Sequence, residues 1–421
     1  MRGRKQSPRG RAAPGGASLR EGVEVEVEVE RILPGGVGLA HAGGQTVFVA
    51  LAAPGDRALV RVARVRGAVA FASIKELLAP SPARVEPPCP YFGRCGGCDF
   101  QQLDYPAQLE AKVGIIRDCL RRIARLEPPA DIPITPSPAE WHYRSRARWQ
   151  HDPLRKHLGY YERGTHHVID VVECPVAAPP VQEKLTALRR RMNEDDLPDG
   201  AAEFEAVAGD RGVSLTPPLG EEDAREQERA IGHERYRFGA GCFFQINHAL
   251  LAPLVRAGLG DANGASALDL YCGVGLFTLP LARRYARVQA VEGNAASADY
   301  ARRNLSAAQL SNARVETSHV GDWLSRHTAA LTSEHATPRT PFDFVLLDPP
   351  RTGAEPETLD ALLRLSPPHI SYVSCDPATL ARDLRTLTEE GGYRLASLQA
   401  LDMFPQTHHV ETVVHLMKAV V

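Results

Sequence analysis

From about residue 265 onward the chain alternates apolar runs with segments of helical spacing, and no other feature constrains its fold as tightly. The runs are ALDLY, RVQAVE, FDFVLLD, ISYVSC, RLASLQAL and VETVVHLM, and segments such as 295–309 and 377–390 separate the first five. Strands alternating with helices build a mostly parallel, Rossmann-like sheet with helices on both faces, an α/β fold. Ligands of such sheets bind beyond the carboxyl ends of the strands. The residues that close each run are therefore the first candidates for chemistry.

The first run ends in LDLYCGVGLF, which places Gly273 and Gly275 directly after a strand, where glycine permits a tight turn and close backbone approach to a ligand. The dinucleotide fingerprint asks for a third glycine at 278, where this chain has Thr278. About 20 residues on, the second run ends in Glu292, where a carboxylate can accept both ribose hydroxyls of an adenosine. The missing glycine and the absent pyrophosphate loop favour S-adenosylmethionine over a nicotinamide dinucleotide. Asp322 follows a third strand signal, at a place where class I methyltransferases often hold an acid near the adenine amino group. Its alternative role is to cap the helix that HVGDWL begins.

The fourth strand runs into LLDPPR, where two prolines stiffen the loop that holds Asp348 and Arg351. The fifth ends in YVSCDPATL, with Asp376 suited to an N-cap and Pro377 to a first helical turn. Cys375 then lies beside a helix N-terminus, whose dipole is expected to lower the thiol pKa. A thiolate at a strand end suits one demanding reaction, methylation of carbon 5 of uracil. Addition of sulfur to carbon 6 makes carbon 5 nucleophilic toward a sulfonium methyl, and a base must then remove the carbon 5 proton. Glu411, at the start of the last strand in THHVETVVHL, is the candidate base.

Cys89, Cys95 and Cys98 form C-x5-C-x2-C in a Gly- and Pro-rich loop, and Cys174 follows in VECPV. Four thiolates suit a structural zinc or an iron–sulfur cluster, and the spacing leaves the metal open. In WHYRSRARW, Arg144, Arg146 and Arg148 share one face of a strand, available to phosphate, with aromatic residues positioned to stack bases. Chemistry on such a base requires it to be flipped out or unpaired.

The remaining chain is read more coarsely. Its 421 residues exceed one core and imply two or three domains. Residues 1–19 read as a disordered basic tail, with Arg2, Arg4, Lys5, Arg9 and Arg11 and no acid. Val23, Val25, Val27 and Val29 alternate with glutamates, and QTVFVALA and RALVRVARVRG add strand signals, so 20–79 is expected to form an oligonucleotide-binding type of barrel. Tyr105, Leu109, Val113, Ile116, Leu120 and Ile123 predict a helix over 105–126, and 141–240 reads as strand-rich with a loop near 192–202. The net charge of −2 argues against a uniformly basic nucleic-acid binder but leaves room for local basic patches. Neither a membrane-spanning run nor a secretory signal is apparent, so the protein is expected in the cytoplasm, with reduced thiols.

Taken together, C-x5-C-x2-C with Cys174, FFQIN, LDLYCGVGLF, VEG, LLDPPR, SCDP and HHVET resemble the RNA uracil-C5 methyltransferase family, in its iron–sulfur 23S ribosomal RNA branch. The resemblance covers about residues 20–421 and implies a TRAM barrel at 20–79. It implies a central α+β domain at 80–240 carrying a 4Fe–4S cluster on Cys89, Cys95, Cys98 and Cys174, and a class I methyltransferase domain at 241–421, on which helix 105–126 packs. It implies that Gln245, Tyr271, Glu292 and Asp348 contact S-adenosylmethionine or line its pocket, with Asp322 at a cofactor position where relatives often have Asn. Leu276 departs from a polar residue of some members. Cys375 matches the nucleophile and Glu411 the base, the partner is 23S ribosomal RNA, and a monomer is expected. The cluster is expected to be structural or to position RNA, since the reaction transfers no electrons. The competing readings are a transfer-RNA uridine (a branch that usually lacks barrel and cluster), amino methylation suggested by DPPR, cytosine-C5 methylation, and a metal-bearing RNA-binding protein with an inactive transferase domain.

Overall fold

The computed structural model describes residues 19–198, 200–329 and 341–419. The basic tail expected over 1–19 lies outside the described residues except for Leu19. The chain divides into two compact units, one ending at Val85 and the other starting at Glu86.

The first unit is built from β1 (Glu24–Glu28), β2 (Arg31–Leu33), β3 (Val37–Ala42), β4 (Gln45–Ala50), β5 (Arg57–Arg66) and β6 (Val69–Ala79), in the order β1-β5-β6-β4-β3-β2. The two edge strands are successive pieces of one chain segment, so the sheet closes on itself. Val27 and Val29 turn into its core with Val47, Val49, Val60 and Val62, while the alternating glutamates stay out.

The second unit opens with a cysteine-bearing loop and α1 (Tyr105–Cys119), which Asp104 caps on the Ala107 amide at 2.8 Å and a π turn, Leu120–Ala124, prolongs. Then come β7 (Ile134–Thr135), β8 (Arg146–Asp152), β9 (His157–Tyr161), β10 (Val168–Asp170), α2 (Pro179–Asn193), β11 (Glu203–Ala208) and β12 (Val213–Thr216). Strands 8 to 12 form a sheet in the order β10-β9-β8-β11-β12, whose core side α2 covers. This helix interrupts the stretch read as strand-rich. Val181, Leu185, Leu188 and Met192 give it an apolar stripe at spacings of four and three, and prolines occupy its first turn. A hairpin follows, β13 (Gln227–Ile231) and β14 (Glu234–Phe238), then α3 (Leu251–Leu259).

The C-terminal part comprises β15 (Gly264–Leu270), α4 (Thr278–Arg284), β16 (Tyr285–Glu292), α5 (Ala295–Ala307), β17 (Ala313–Thr317), α6 (Val320–Ala329), β18 (Phe344–Leu347), α7 (Pro356–Leu365), β19 (His369–Ser374), α8 (Pro377–Glu389), β20 (Tyr393–Leu401) and β21 (Glu411–Lys418). Its sheet has the order β17-β16-β15-β18-β19-β21-β20-β7, parallel from β17 to β19 with β21 antiparallel between β19 and β20. All four residues of β18 and the last five of β15 are buried, as strands covered on both faces require. The two-residue β7 extends this sheet from far upstream, pairing with Ala400 and Leu401. Helix α1 packs on α8, so an early segment is built onto the late sheet.

Candidate active site

The chain leaves β15 toward β16 and later returns to β18 on the other side, so the carboxyl ends of β15 and β18 flank a crevice at the point where strand order reverses. A cleft of about 1140 Å³ opens there. Gln245, Tyr271, Gly273, Glu292, Asp322, Asp348, Cys375 and Glu411 all line it. Gly275 does not. Its φ of +95° suits the turn, and a Cβ there would stand 3.0 Å from Leu279 and 3.6 Å from Ala301, so this glycine serves helix packing.

Glu292 closes β16, and its carboxylate is fixed by two backbone amides, Gly273 N–H to Oε2 at 2.8 Å and Asn294 N–H to Oε1 at 2.6 Å. Each oxygen keeps a lone pair for a ligand hydroxyl. Tyr271 turns the chain at the end of β15 with a φ of +61°, and its hydroxyl donates to Glu355. Asp322 lies in the first turn of α6, where it also faces the positive end of that helix.

Cys375 and Glu411 belong to neighbouring strands. The antiparallel register of β19 and β21 sets Ser374 against Thr412. One residue further along the same register, Cys375 stands opposite Glu411, and both face the cleft. Glu411 is 1% exposed, and its Oε1 has no hydrogen-bond partner in the protein. Burial, reinforced by Asp348 and opposed by Arg351, holds its carboxyl well above the usual range. Burial likewise pushes Asp348 up to about 7, against the Gln245 amide, which donates to Oδ2 at 3.4 Å.

The expected lowering of the Cys375 pKa is overturned. Burial and then the Glu411 carboxyl push the thiol up to about 12, with Arg351 alone among the leading neighbours pulling it down. The helix N-terminus is already engaged by an acid, because Asp376 accepts from the Ala378 and Thr379 amides at 2.9 and 3.0 Å. These surroundings favour the protonated thiol.

A second, smaller cavity of about 20 Å³ is lined by Cys89, Cys95, Cys98 and Cys174 together with Gln101, Arg144 and Tyr160. Burial pushes the Cys98 thiol up to about 12, with Cys174 and Cys95 adding to it and Arg144 opposing. Among the described residues no group of three or more His, Cys, Asp and Glu side chains is arranged to hold a metal ion. The four thiols surround a space and do not close on a point.

The arginines of WHYRSRARW do project away from Ala147 and Trp149, which are buried, and all three line the large cleft. They are less free than an open phosphate-binding row. Arg146 pairs with Glu205, and Arg148 bridges Glu205 at 3.0 Å and Glu203 at 3.3 Å. Arg144 borders both cavities. Four lining residues were not singled out from sequence: Phe243, 57% exposed, Thr407 and His409, which lie inside quoted motifs, and Glu355, which lies in none. FFQIN and HHVET contain Phe243 and His409, but the roles read from them were those of Gln245 and Glu411.

The strand order, the glycine turn at the first strand and the held acid at the second define a class I methyltransferase. The family model described as tRNA (uracil-5-)-methyltransferase matches residues 221–419, and that of the TRAM domain matches residues 19–75. The 23S rRNA (uracil(1939)-C(5))-methyltransferase RlmD of Alkalilimnicola ehrlichii is 34% identical, over 92% of this chain and 95% of that protein. RlmD of Thiobacillus denitrificans is 33% identical, over 90% and 96%. The crystal structure of Pyrococcus abyssi tRNA (uracil-54, C5)-methyltransferase, in complex with S-adenosyl-L-homocysteine, matches with a TM-score of 0.70 and 27% identity, over 93% of this chain and all of that one. The chain belongs to the RNA uracil-C5 methyltransferase family, with a TRAM domain at its N-terminal end. No helix among the described residues is long and apolar enough to cross a membrane.

Proposed function

We propose that this protein transfers a methyl group from S-adenosylmethionine to carbon 5 of a uridine in 23S ribosomal RNA, with Cys375 as nucleophile and Glu411 as base. The observation that carries the reading is the register of β19 and β21, which puts a thiol and a buried carboxyl opposite one another at the cleft. Cys375 Sγ adds to carbon 6, and the ring electrons move toward the carbonyl oxygen. Carbon 5 then attacks the methyl carbon, and the S–CH₃ bond breaks. Glu411 takes the carbon 5 proton, the C–H electrons restore the ring double bond, and Cys375 leaves as thiolate.

Gln245, Tyr271, Gly273, Glu292, Asp322 and Asp348 would hold the methyl donor, Glu292 through the ribose hydroxyls. A sulfonium held in this cleft would favour the ionised forms of Asp348 and Glu411, and its charge would also offset what holds Cys375 protonated. Donor binding would then prepare both base and nucleophile. Arg144, Arg146, Arg148 and the TRAM domain would engage RNA in the cytoplasm. Cys89, Cys95, Cys98 and Cys174 would hold a 4Fe–4S cluster, which supplies a structural anchor for the loop. The support is their shared cavity and the mutual repulsion that a cationic centre would relieve. Brown protein with charge-transfer absorbance is expected, and colourless protein with stoichiometric zinc would refute iron.

The transfer-RNA alternative is favoured by one observation. The Pyrococcus tRNA enzyme aligns over 93% of this chain, so domain content does not separate the two substrates. The higher identity to the ribosomal RNA enzymes supports the first reading. Mass spectrometry of both RNAs from cells lacking the protein tests it. Loss of 5-methyluridine from 23S RNA alone is expected, and loss from transfer RNA alone would overturn the substrate assignment.

A further inference from the structure

Glu411 is delivered to the cleft by the connection 402–410, and that connection is gripped by groups nearly three hundred residues upstream. Lys112, fully buried in α1, binds Asp402 and donates to the Phe404 carbonyl at 3.1 Å. The Tyr143 hydroxyl donates to the Pro405 carbonyl at 2.9 Å. Gln108, also buried in α1, forms a reciprocal pair with Gln406. Its Oε1 accepts from the Gln406 amide at 2.9 Å, and its Nε2 donates to Gln406 Oε1 at 3.0 Å. The Asp99 and Phe100 amides donate to the Gln406 carbonyl at 3.1 and 3.0 Å. Asp99 Oδ1 accepts from the His408 amide at 2.8 Å, and Oδ2 lies 2.5 Å from His408 Nδ1.

The grip therefore falls on 402, 404, 405, 406 and 408. The residues that face the cleft from the same stretch are Phe404, Thr407 and His409, followed by Glu411. Gln406 needs this support, because it is 1% exposed and adopts a φ of +68°, a conformation a non-glycine residue holds only when its surroundings impose it. Cys375 hangs from a different strand, its helix α8 is capped by its own Asp376, and none of these hydrogen bonds reaches it, although α8 also packs on α1. The hydrogen bonds that fix the two residues thus come from different parts of the chain.

We infer that Gln108 and Asp99 are positioning residues for the proton-abstraction step: they set the placement of Glu411 without governing addition of Cys375 or methyl transfer. The inference rests on the reading of Glu411 as the base. Catalytic placement is demanding, since a shift of about 1 Å can cost about 100-fold in rate.

The test is single turnover of the full-length protein with an RNA substrate tritiated at carbon 5 of its uridines. Label transfer from S-adenosylmethionine, tritium release and covalent protein–RNA adduct are followed together. In Gln108→Leu, methyl transfer is expected to stay within about threefold of native while tritium release falls at least about tenfold and adduct accumulates. Asp99→Ala repeats the test from the other side of the clamp, and adduct formation with 5-fluorouridine RNA, which needs no proton abstraction, confirms that each variant is folded. Glu411→Gln is the reference. If it neither traps adduct nor slows tritium release, the base assignment fails and the inference with it. If it traps adduct while both clamp variants slow methyl transfer and tritium release in parallel, or slow neither, the base assignment stands and the positioning role is overturned.

Discussion

Cys98 and Cys375 stand in different cavities, yet burial lifts both thiols to about 12. Their neighbours differ in kind. Around Cys98 the further push comes from other thiols, Cys174 and Cys95, while around Cys375 it comes from carboxyls, Glu411 and Asp348. A single arginine opposes in each, Arg144 in the first and Arg351 in the second. Each cavity is therefore unfavourable to its own ionised form and suited to a cationic guest. In the four-thiol cavity the guest would be permanent, since four thiolates ionise together only on a bound cation. In the cleft it would come and go with the methyl donor, so reactivity would appear only when the donor is bound. On the proposed function, the difference would separate a holding site from a working one more sharply than the presence of cysteine does.

The largest expected effect breaks the comparison at the working site. Cys375→Ala should lower turnover by at least about 10³-fold while donor affinity by calorimetry stays near native, because the thiol serves chemistry and not binding. Cys98→Ser should do the reverse: charge-transfer absorbance and iron content fall, while the cleft still binds S-adenosylmethionine. Glu292→Ala should weaken the donor about 10–100-fold, the scale of hydrogen bonds to a charged group, with RNA affinity unchanged. A smaller effect concerns pH. Asp348 without a neighbouring cation titrates at about 7, and a sulfonium lowers that value. Binding then releases protons, so affinity for S-adenosylmethionine should rise with pH through about 7, while neutral-sulfur S-adenosylhomocysteine shows a shallower rise. Arg148→Ala should produce the smallest change, a few-fold higher KM for RNA with a salt dependence shallower by about one unit, since Glu203 and Glu205 already share its charge.

The parts of this design that were legible in sequence are those written locally. The runs ending at Tyr271, Glu292, Asp348 and Cys375 are apolar because their strands are buried, and the residues that end them reach the cleft for the same reason. The β1 alternation was legible from its valines, and α1 was legible as a helix but not by its face: Tyr105, Leu109 and Val113 of the expected stripe are half-buried, and the buried face carries Gln108, Ala111, Lys112, Ile115 and Cys119 beside Ile116. What escaped depends on contacts made at long range. The stripe of α2 was masked by a polar mean composition between strands, and the two residues of β7 are too few to carry a period. The thiol of Cys375 was read from its own helix, whereas burial raises its pKa first and Glu411 adds to it, and only the fold brings either about. Gly275 was read as a ligand glycine from its motif, although its backbone serves Leu279 and Ala301. The grip of Gln108 on Gln406 has no sequence signature at all.

The most direct test of the central claim is to react the protein with S-adenosylmethionine and a 23S RNA fragment carrying 5-fluorouridine, digest the product, and locate the crosslink by mass spectrometry. The account requires a methylated fluorouridine bonded to Cys375, absent from Cys375→Ala. A crosslink on any other cysteine, or methylation at carbon 5 by Cys375→Ala protein, would contradict it.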